Sequence, residues 1–476
     1  MGRGMAKEYR MVAPTRDYLR SALAGILALG MALQSAPAQA QSEPVSLIRD
    51  TEIENILQAD AEPLYAAAGL NSKSINILLI GSKDLNAFAG PGTMAVYTGL
   101  ILESTNANQL QGVMAHEIGH LAGGHSARSG DMTTAGLKPF LLTMGLGVLA
   151  ALAGNTEAGA VLAGNASFFG TLGALGYSRE QESRADQAGL TYLETANLSG
   201  RGLVDFFDNF RYQEVFEEAR RYPYFRSHPL SSTRIEALRV RAEKLPHFSA
   251  PLDAKQEADH AIMKAKLQGF INPTIAIAKC GDKDQDFPTR YACAIAQYQL
   301  KEPEKALKLV DALIADQPNN PYLWELKGQI LFEFGRAAEA EAPQRKSVTL
   351  NPDAPLLRVN LGQTLIALPS DAKVDEGIAE LKKSLVQDEE NSAAWRLLAE
   401  AYDRRGLDGL ARYATAEVNF QEGDKRQALI FAMRARDMLP KGSPEWRRSI
   451  DIVLASNPDK GTLKDVTSDG DKDKPS

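Results

Sequence analysis

The sequence predicts a mixed fold: an α+β domain, mostly helical with a small sheet, followed by an all-α array of tetratricopeptide type. Three observations carry this reading. A His-Glu-x-x-His motif, His116 to His120, closes a stretch with apolar residues at helical spacing. Short runs rich in β-branched and apolar residues precede it. Beyond residue 300, matching residue types recur every 34 positions. At 476 residues the chain is too long for one core. The natural division is a signal segment over 1–40, a first domain over 41–250, the array over 256–455 and a tail over 457–476. With 44% hydrophobic and 24% charged residues the bulk is globular, and a net charge of −7 excludes a phosphate-tracking surface and so nucleic acid.

The chain starts with a basic stretch (Arg3, Lys7, Arg10, Arg16, Arg20), then an apolar run over 21–33, then Ala38-Gln39-Ala40. That order is a cleavable export signal, with Met11 an alternative initiator. A retained anchor is the weaker alternative, because the run is short for a bilayer. Cleavage after Ala40 removes five basic and two acidic residues and leaves a net charge of −10. Export to an oxidising compartment makes a disulfide between Cys280 and Cys293, the two cysteines of the chain, the expected state, with two buried thiols as the alternative.

Within the first domain, residues 43–70 read as an amphipathic helix, since Leu47, Ile48, Ile53, Ile56 and Leu57 fall at helical spacing. Residues 74–80 and 94–97 read as strands around the Gly90-Pro91-Gly92 turn. Residues 132–176 carry two charges, Lys138 and Glu157, and abundant Gly and Ala. They form either a helical hairpin that is buried or touches a membrane peripherally, or a membrane hairpin of 140–153 and 158–176. Both halves are short for spans. In the array, Ala306 and Ala340, Pro318 and Pro352, and Gly328 and Gly362 are 34 apart. Trp324, Gly328, Leu331, Ala340 and Pro352 fill one unit. Trp395, Tyr402 and Ala411 fill a later one after a short insertion near 370–374, and Ala428, Ala435 and Pro440 a degenerate last one. The Asp-, Lys-, Gly- and Ser-rich end reads as a disordered tail.

The chemistry centres on His116, Glu117 and His120. Histidines four apart on a helix share a face and reach one metal, and Glu117 stands beside it as general base. Alone this five-residue pattern arises by chance in many chains, so the third ligand decides. His125 is one residue short of an extended H-E-x-x-H-x-x-G-x-x-H pattern, which would need a histidine where Ser126 stands. Glu182, in Ser178-Arg179-Glu180-Gln181-Glu182-Ser183-Arg184-Ala185-Asp186, completes a His, His, Glu set. Asp186, four residues on, shares its face and can accept the second ring N–H of a ligand histidine.

HEIGH followed by SREQESRAD resembles the gluzincin family that includes HtpX and the CAAX prenyl proteases. The resemblance implies one Zn2+ per chain on His116, His120 and Glu182. It also implies an edge strand for substrate at Ala95, Val96 and Tyr97, beside which an extended peptide would add. His228-Pro229-Leu230 with Thr233-Arg234 is similar to the family's His-Pro segment. This implies His228 as a fourth ligand that holds the enzyme silent. Arg234 is a candidate partner for a carboxylate or a developing oxyanion, with a surface arginine as the alternative. With an export signal and a repeat array, the mature chain resembles the periplasmic members that act in outer-membrane β-barrel assembly. The implied function is a zinc endopeptidase that degrades misfolded or stalled outer-membrane proteins and assists their assembly. Unfolded or partly folded barrels and their assembly machinery are its partners. The rivals are a periplasmic holdase with a latent or structural zinc, and a membrane-spanning protease.

Overall fold

A computed structural model describes residues 46–124, 179–210, 228, 232–281 and 285–456. The expected signal segment, His125, the 132–176 hairpin and the tail lie outside them.

The first half is built on a four-stranded sheet: β1 (Ser46–Ile48), β2 (Asn76–Gly81), β3 (Ala87–Gly90) and β4 (Thr93–Tyr97), in spatial order β1-β2-β4-β3. β2 and β4 pair in parallel, and β1 and β3 join antiparallel on the outside. Two expectations change here. Leu47 and Ile48 pair with Ile80 and Leu79 in β1 rather than extending the following helix, α1 (Thr51–Ala67). Asp50 marks the boundary, because its side chain accepts from Ile53 N and caps α1. And Ala95, Val96 and Tyr97 are not at an edge. β4 is flanked by β2 and β3, so its backbone groups are spent on both sides and no peptide can add beside it. The outer strand on that side is β3. Period-two alternation sends Met94 and Val96 into the main core, and Ala95 and Tyr97 against Ile80 and Phe88 on the other face.

Helices α2 (Thr98–Glu103), α3 (Ala107–Ala122), α4 (Arg179–Thr195), α5 (Arg201–Phe210) and α6 (Ser232–Ala242) complete this half. α3 is its central element. Asn106 caps it by accepting from Gln109 N, every residue from Ala107 to His120 is buried, and β3, α4 and α5 pack around it.

The second half begins with α7 (Ala254–Ile271), α8 (Pro273–Ile277), α9 (Phe287–Gln299) and α10 (Pro303–Asp316). Cys280 and Cys293 are bridged across 13 residues. The array goes on through α11 (Pro321–Glu333), α12 (Ala337–Leu350), α13 (Pro355–Ile366), α14 (Asp371–Gln387), α15 (Ser392–Arg404), α16 (Asp408–Gln421), α17 (Lys425–Met438) and α18 (Pro444–Ala455). The first helices of the pairs start at 287, 321, 355, 392 and 425, so the step is 34 residues twice, then 37 with three extra residues, then 33. Those residues lengthen a helix rather than a loop: α14 has 17 residues where α10, α12 and α16 have 14. At the fourth position of α11 and α15, Trp324 and Trp395 each donate Nε1–H to a carbonyl six residues upstream, 2.9 and 3.0 Å away. Arg358 fills the same slot in α13 and makes the same bond to Pro352 O. The bond, not the indole, is what the slot preserves.

The two halves share a core. Met263 and Leu267 of α7 are buried in the core of the first half, where α7 packs against α1, α2 and α3. His260 Nε2 lies 2.8 Å from Ser104 Oγ, and the α1 end is tied to the array where Tyr291 OH donates to Glu52.

Candidate active site

The site forms where α3 and α4 cross almost backbone to backbone. A Cβ on Gly119 would stand 2.7 Å from Ala185 O, and one on Gly189 3.1 Å from His116 N. Each helix thus sets a small residue beside its own functional pair: Gly119 next to His120, and Ala185 next to Asp186. Only this close approach lets the short Glu182 and Asp186 side chains reach the α3 histidines.

Four buried side chains, His116, His120, Glu182 and His228, present ligand atoms all within 4.8 Å of one another. Nε2 of His116 and of His120 are 3.1 Å apart, and His228 Nδ1 is 3.2 Å from His116 Nε2 and from Glu182 Oε1. Glu182 oxygens lie 3.5 Å from His116 Nε2 and 3.3 Å from His120 Nε2. The corners of a tetrahedron drawn at zinc–ligand distances of about 2.0–2.2 Å lie about 3.3–3.6 Å apart, so this donor set fits a tetrahedral ion. Three imidazoles and one carboxylate are also the ligand types zinc takes.

The surroundings tune the set. Asp186 Oδ1 stands 2.9 Å from His116 Nδ1, which places the ring proton on Nδ1 and leaves Nε2 facing the other donors. Burial pulls the His116 imidazole down, but the Asp186 and Glu182 carboxylates outweigh it and hold it at about 9. Burial depresses His120 to about 3, against the pull of Glu182. For Glu182 burial works upward, yet His228, His116 and His120 keep it well below the usual carboxylate range. Burial raises Glu117. Its Oε1 is buried without a hydrogen-bond partner among the described residues, the His228 Nε2 atom lying 3.5 Å away. A buried, unsatisfied carboxylate oxygen beside a ligand cluster is placed to accept a proton from a molecule that enters.

Arg234, a candidate for oxyanion binding, is held behind the ligands instead. Nε and Nη2 meet Asp186 at 2.7 and 2.8 Å, and Nη1 meets Glu182 at 2.8 Å, with the side chain 9% exposed. It is a buried counter-ion, not the surface arginine that its sequence neighbourhood suggests. Two residues escaped sequence reasoning. The Phe207 ring packs edge-on to His116 at 5.9 Å and lies 5.1 Å below the Arg234 guanidinium, so it sets the position of both. The Gly119 contact was also missed, although Ala115-x-x-x-Gly119 and Ala185-x-x-x-Gly189 are legible small-residue pairs beside the ligand pairs.

Residues 48–242 match the family model described as peptidase family M48, and residues 291–355 match a tetratricopeptide repeat model. The chain is 24% identical to a β-barrel assembly-enhancing protease of Yersinia pestis, covering 84% of this chain and 83% of that one. Against the β-barrel assembly-enhancing protease of Escherichia coli strain K12 it is 24% identical over 84% of this chain and 82% of the relative. The metalloprotease LoiP of the same strain is 32% identical, over 36% of this chain and 64% of its own length.

Proposed function

We propose, from the premise that residues 48–242 form a metalloprotease domain of the M48 type, that this chain is a periplasmic zinc endopeptidase. It acts on outer-membrane proteins during their assembly and degrades those that misfold or stall. The observation that supports this best is the convergence of His116, His120, Glu182 and His228 at tetrahedral spacing, with Glu117 unsatisfied beside them. One zinc per chain, when bound, would supply Lewis-acid activation of water and of the scissile carbonyl. The protein's own part is to place groups around that chemistry. Asp186 and Phe207 fix the His116 ring, Arg234 balances the charge of Glu182 and Asp186, and Glu117 Oε1 accepts the proton of the attacking water and returns it to the leaving amine.

His228 is the resting guard of the site. Its Nδ1 would supply the fourth donor, where water would otherwise bind, and its Nε2 lies 3.5 Å from Glu117 Oε1, so a single residue would exclude water and cover the base. A site closed by four protein donors is a resting form, and substrate gains access when His228 leaves. His228→Ala should raise cleavage with zinc affinity little changed. Lower cleavage at unchanged zinc affinity would sink this guard role and favour one in the transition state.

The same closed donor set also suits a holdase with a latent or structural zinc. The two readings separate in cells that lack the chain. Wild type should restore barrel assembly and be recovered in the periplasmic fraction, and Glu117→Gln should fail to restore it. Equal restoration by Glu117→Gln would favour the holdase.

A further inference from the structure

A cavity of about 440 Å³ opens where the start of α1 meets α11 and α13, far along the chain from the metal ligands. Its rim and walls carry aromatic rings, Phe270, Tyr322 and Phe332 among them. Two cations border it and both are engaged. Arg49 meets Glu54 at 2.9 Å and Asp388 at 3.1 Å, and Lys266 lies between Asp50 at 2.9 Å and Glu52 at 3.1 Å.

What remains facing the cavity is a surplus of acceptors. Among the described residues Glu325 receives one bond, from Asn360 Nδ2 at 2.9 Å, and meets no cation within ion-pair distance. Gln344 is 1% exposed, and its Oε1 is buried with no hydrogen-bond partner among the described residues. A native interior rarely leaves such groups unmatched unless something else supplies the donors. Burial raises Glu325 to about 8 despite the charge of Lys266, so its ionised form gains most from a further positive charge.

We propose that this cavity binds a lysine or arginine side chain of an extended polypeptide held along α11 and α13. The cationic head pairs with Glu325 at the base of the cavity, and the aliphatic stem lies against Phe270, Tyr322 and Phe332. The amides of Asn360, Gln363 and Gln329 are spaced along α11 and α13 to meet the peptide's own N–H and C=O groups. The volume suits one long side chain with part of its backbone, not a folded partner. This rests on the proposed function, in which the chain acts on outer-membrane polypeptides, but its test does not depend on cleavage.

The probe is a fluorescein-labelled unstructured peptide of about a dozen residues with one central lysine, beside the same peptide with norleucine there. Binding is read by anisotropy on the full mature chain carrying Glu117→Gln, so that no probe is consumed. The lysine peptide should bind about tenfold more tightly, the size of one charge-assisted hydrogen bond. Adding Glu325→Gln should erase that difference while leaving the norleucine peptide's affinity unchanged. Equal affinities for the two peptides would overturn the proposal, and so would a lysine preference that survives Glu325→Gln. If the Glu325 variant does not fold, the peptide pair on the parent protein still decides. Loss of proteolysis in the wild type would refute the enzyme and not this cavity.

Discussion

Gly119→Ala tests whether the crossing of α3 and α4 is what assembles the metal set. The new Cβ would stand 2.7 Å from Ala185 O, against an ordinary contact limit of 3.4 Å. The two backbones must therefore part by roughly 0.7 Å, since neither is a flexible side chain that can turn away. Metal sites tolerate about 0.2 Å in ligand distance, so a shift of that size carries Glu182 out of register with His116 and His120. Zinc affinity should fall about 10- to 100-fold, as when a supporting group is lost, and stability should fall by about 1–3 kcal/mol as in other overpacked cores. Affinity is measured by competition with a chromogenic chelator, and stability by urea unfolding of the metal-free protein. Gly362→Ala is the control. Its Cβ would meet the Leu381 side chain at 2.8 Å inside the array, so it should cost stability without changing zinc affinity. Wild-type zinc affinity in Gly119→Ala would refute the argument that backbone contact sets the ligand geometry.

Three further outcomes follow from named contacts. Arg234→Ala leaves Glu182 and Asp186 without their shared counter-ion and should weaken zinc binding about 10- to 100-fold in the same chelator competition. His260 is buried against Ser104, and burial, helped by Lys264, pushes it down to about 4. The unfolded chain takes up that proton first, so stability should fall as pH drops from about 6.5 to about 4 and then level off. His260→Gln should flatten that slope in denaturant titrations across the same range. Reducing the Cys280–Cys293 bridge, which closes a loop of 13 residues, should cost about 3 kcal/mol in the array's unfolding transition.

What the sequence made legible was whatever depends on spacing along one element. His116 with His120, and Glu182 with Asp186, each sit four apart, and a helix alone puts them on one face. The 34-residue step was legible for the same reason. What escaped depends on how elements meet. β4 looked like an edge because strand order in a sheet is set in space. The turn after β3 brings β4 back between β2 and β3, and nothing local to Ala95–Tyr97 records it. Leu47 and Ile48 fit a helical apolar pattern, and only the Asp50 cap separates them from α1. Met263 and Leu267 of α7 are buried in the first half's core, a contact that no local pattern near 250–256 records. Arg234 and Phe207 lie on different helices from the ligands they steady, so their roles exist only once α4, α5 and α6 have packed.

Zinc-dependent proteolysis through Glu117 is tested most directly by measuring zinc content and proteolysis together on the purified mature chain, wild type beside Glu117→Gln, with an unfolded outer-membrane barrel protein as substrate. One zinc per chain is expected in both, with cleavage by the wild type only. Cleavage by Glu117→Gln at the wild-type rate, or wild-type cleavage that survives complete removal of zinc, would contradict it.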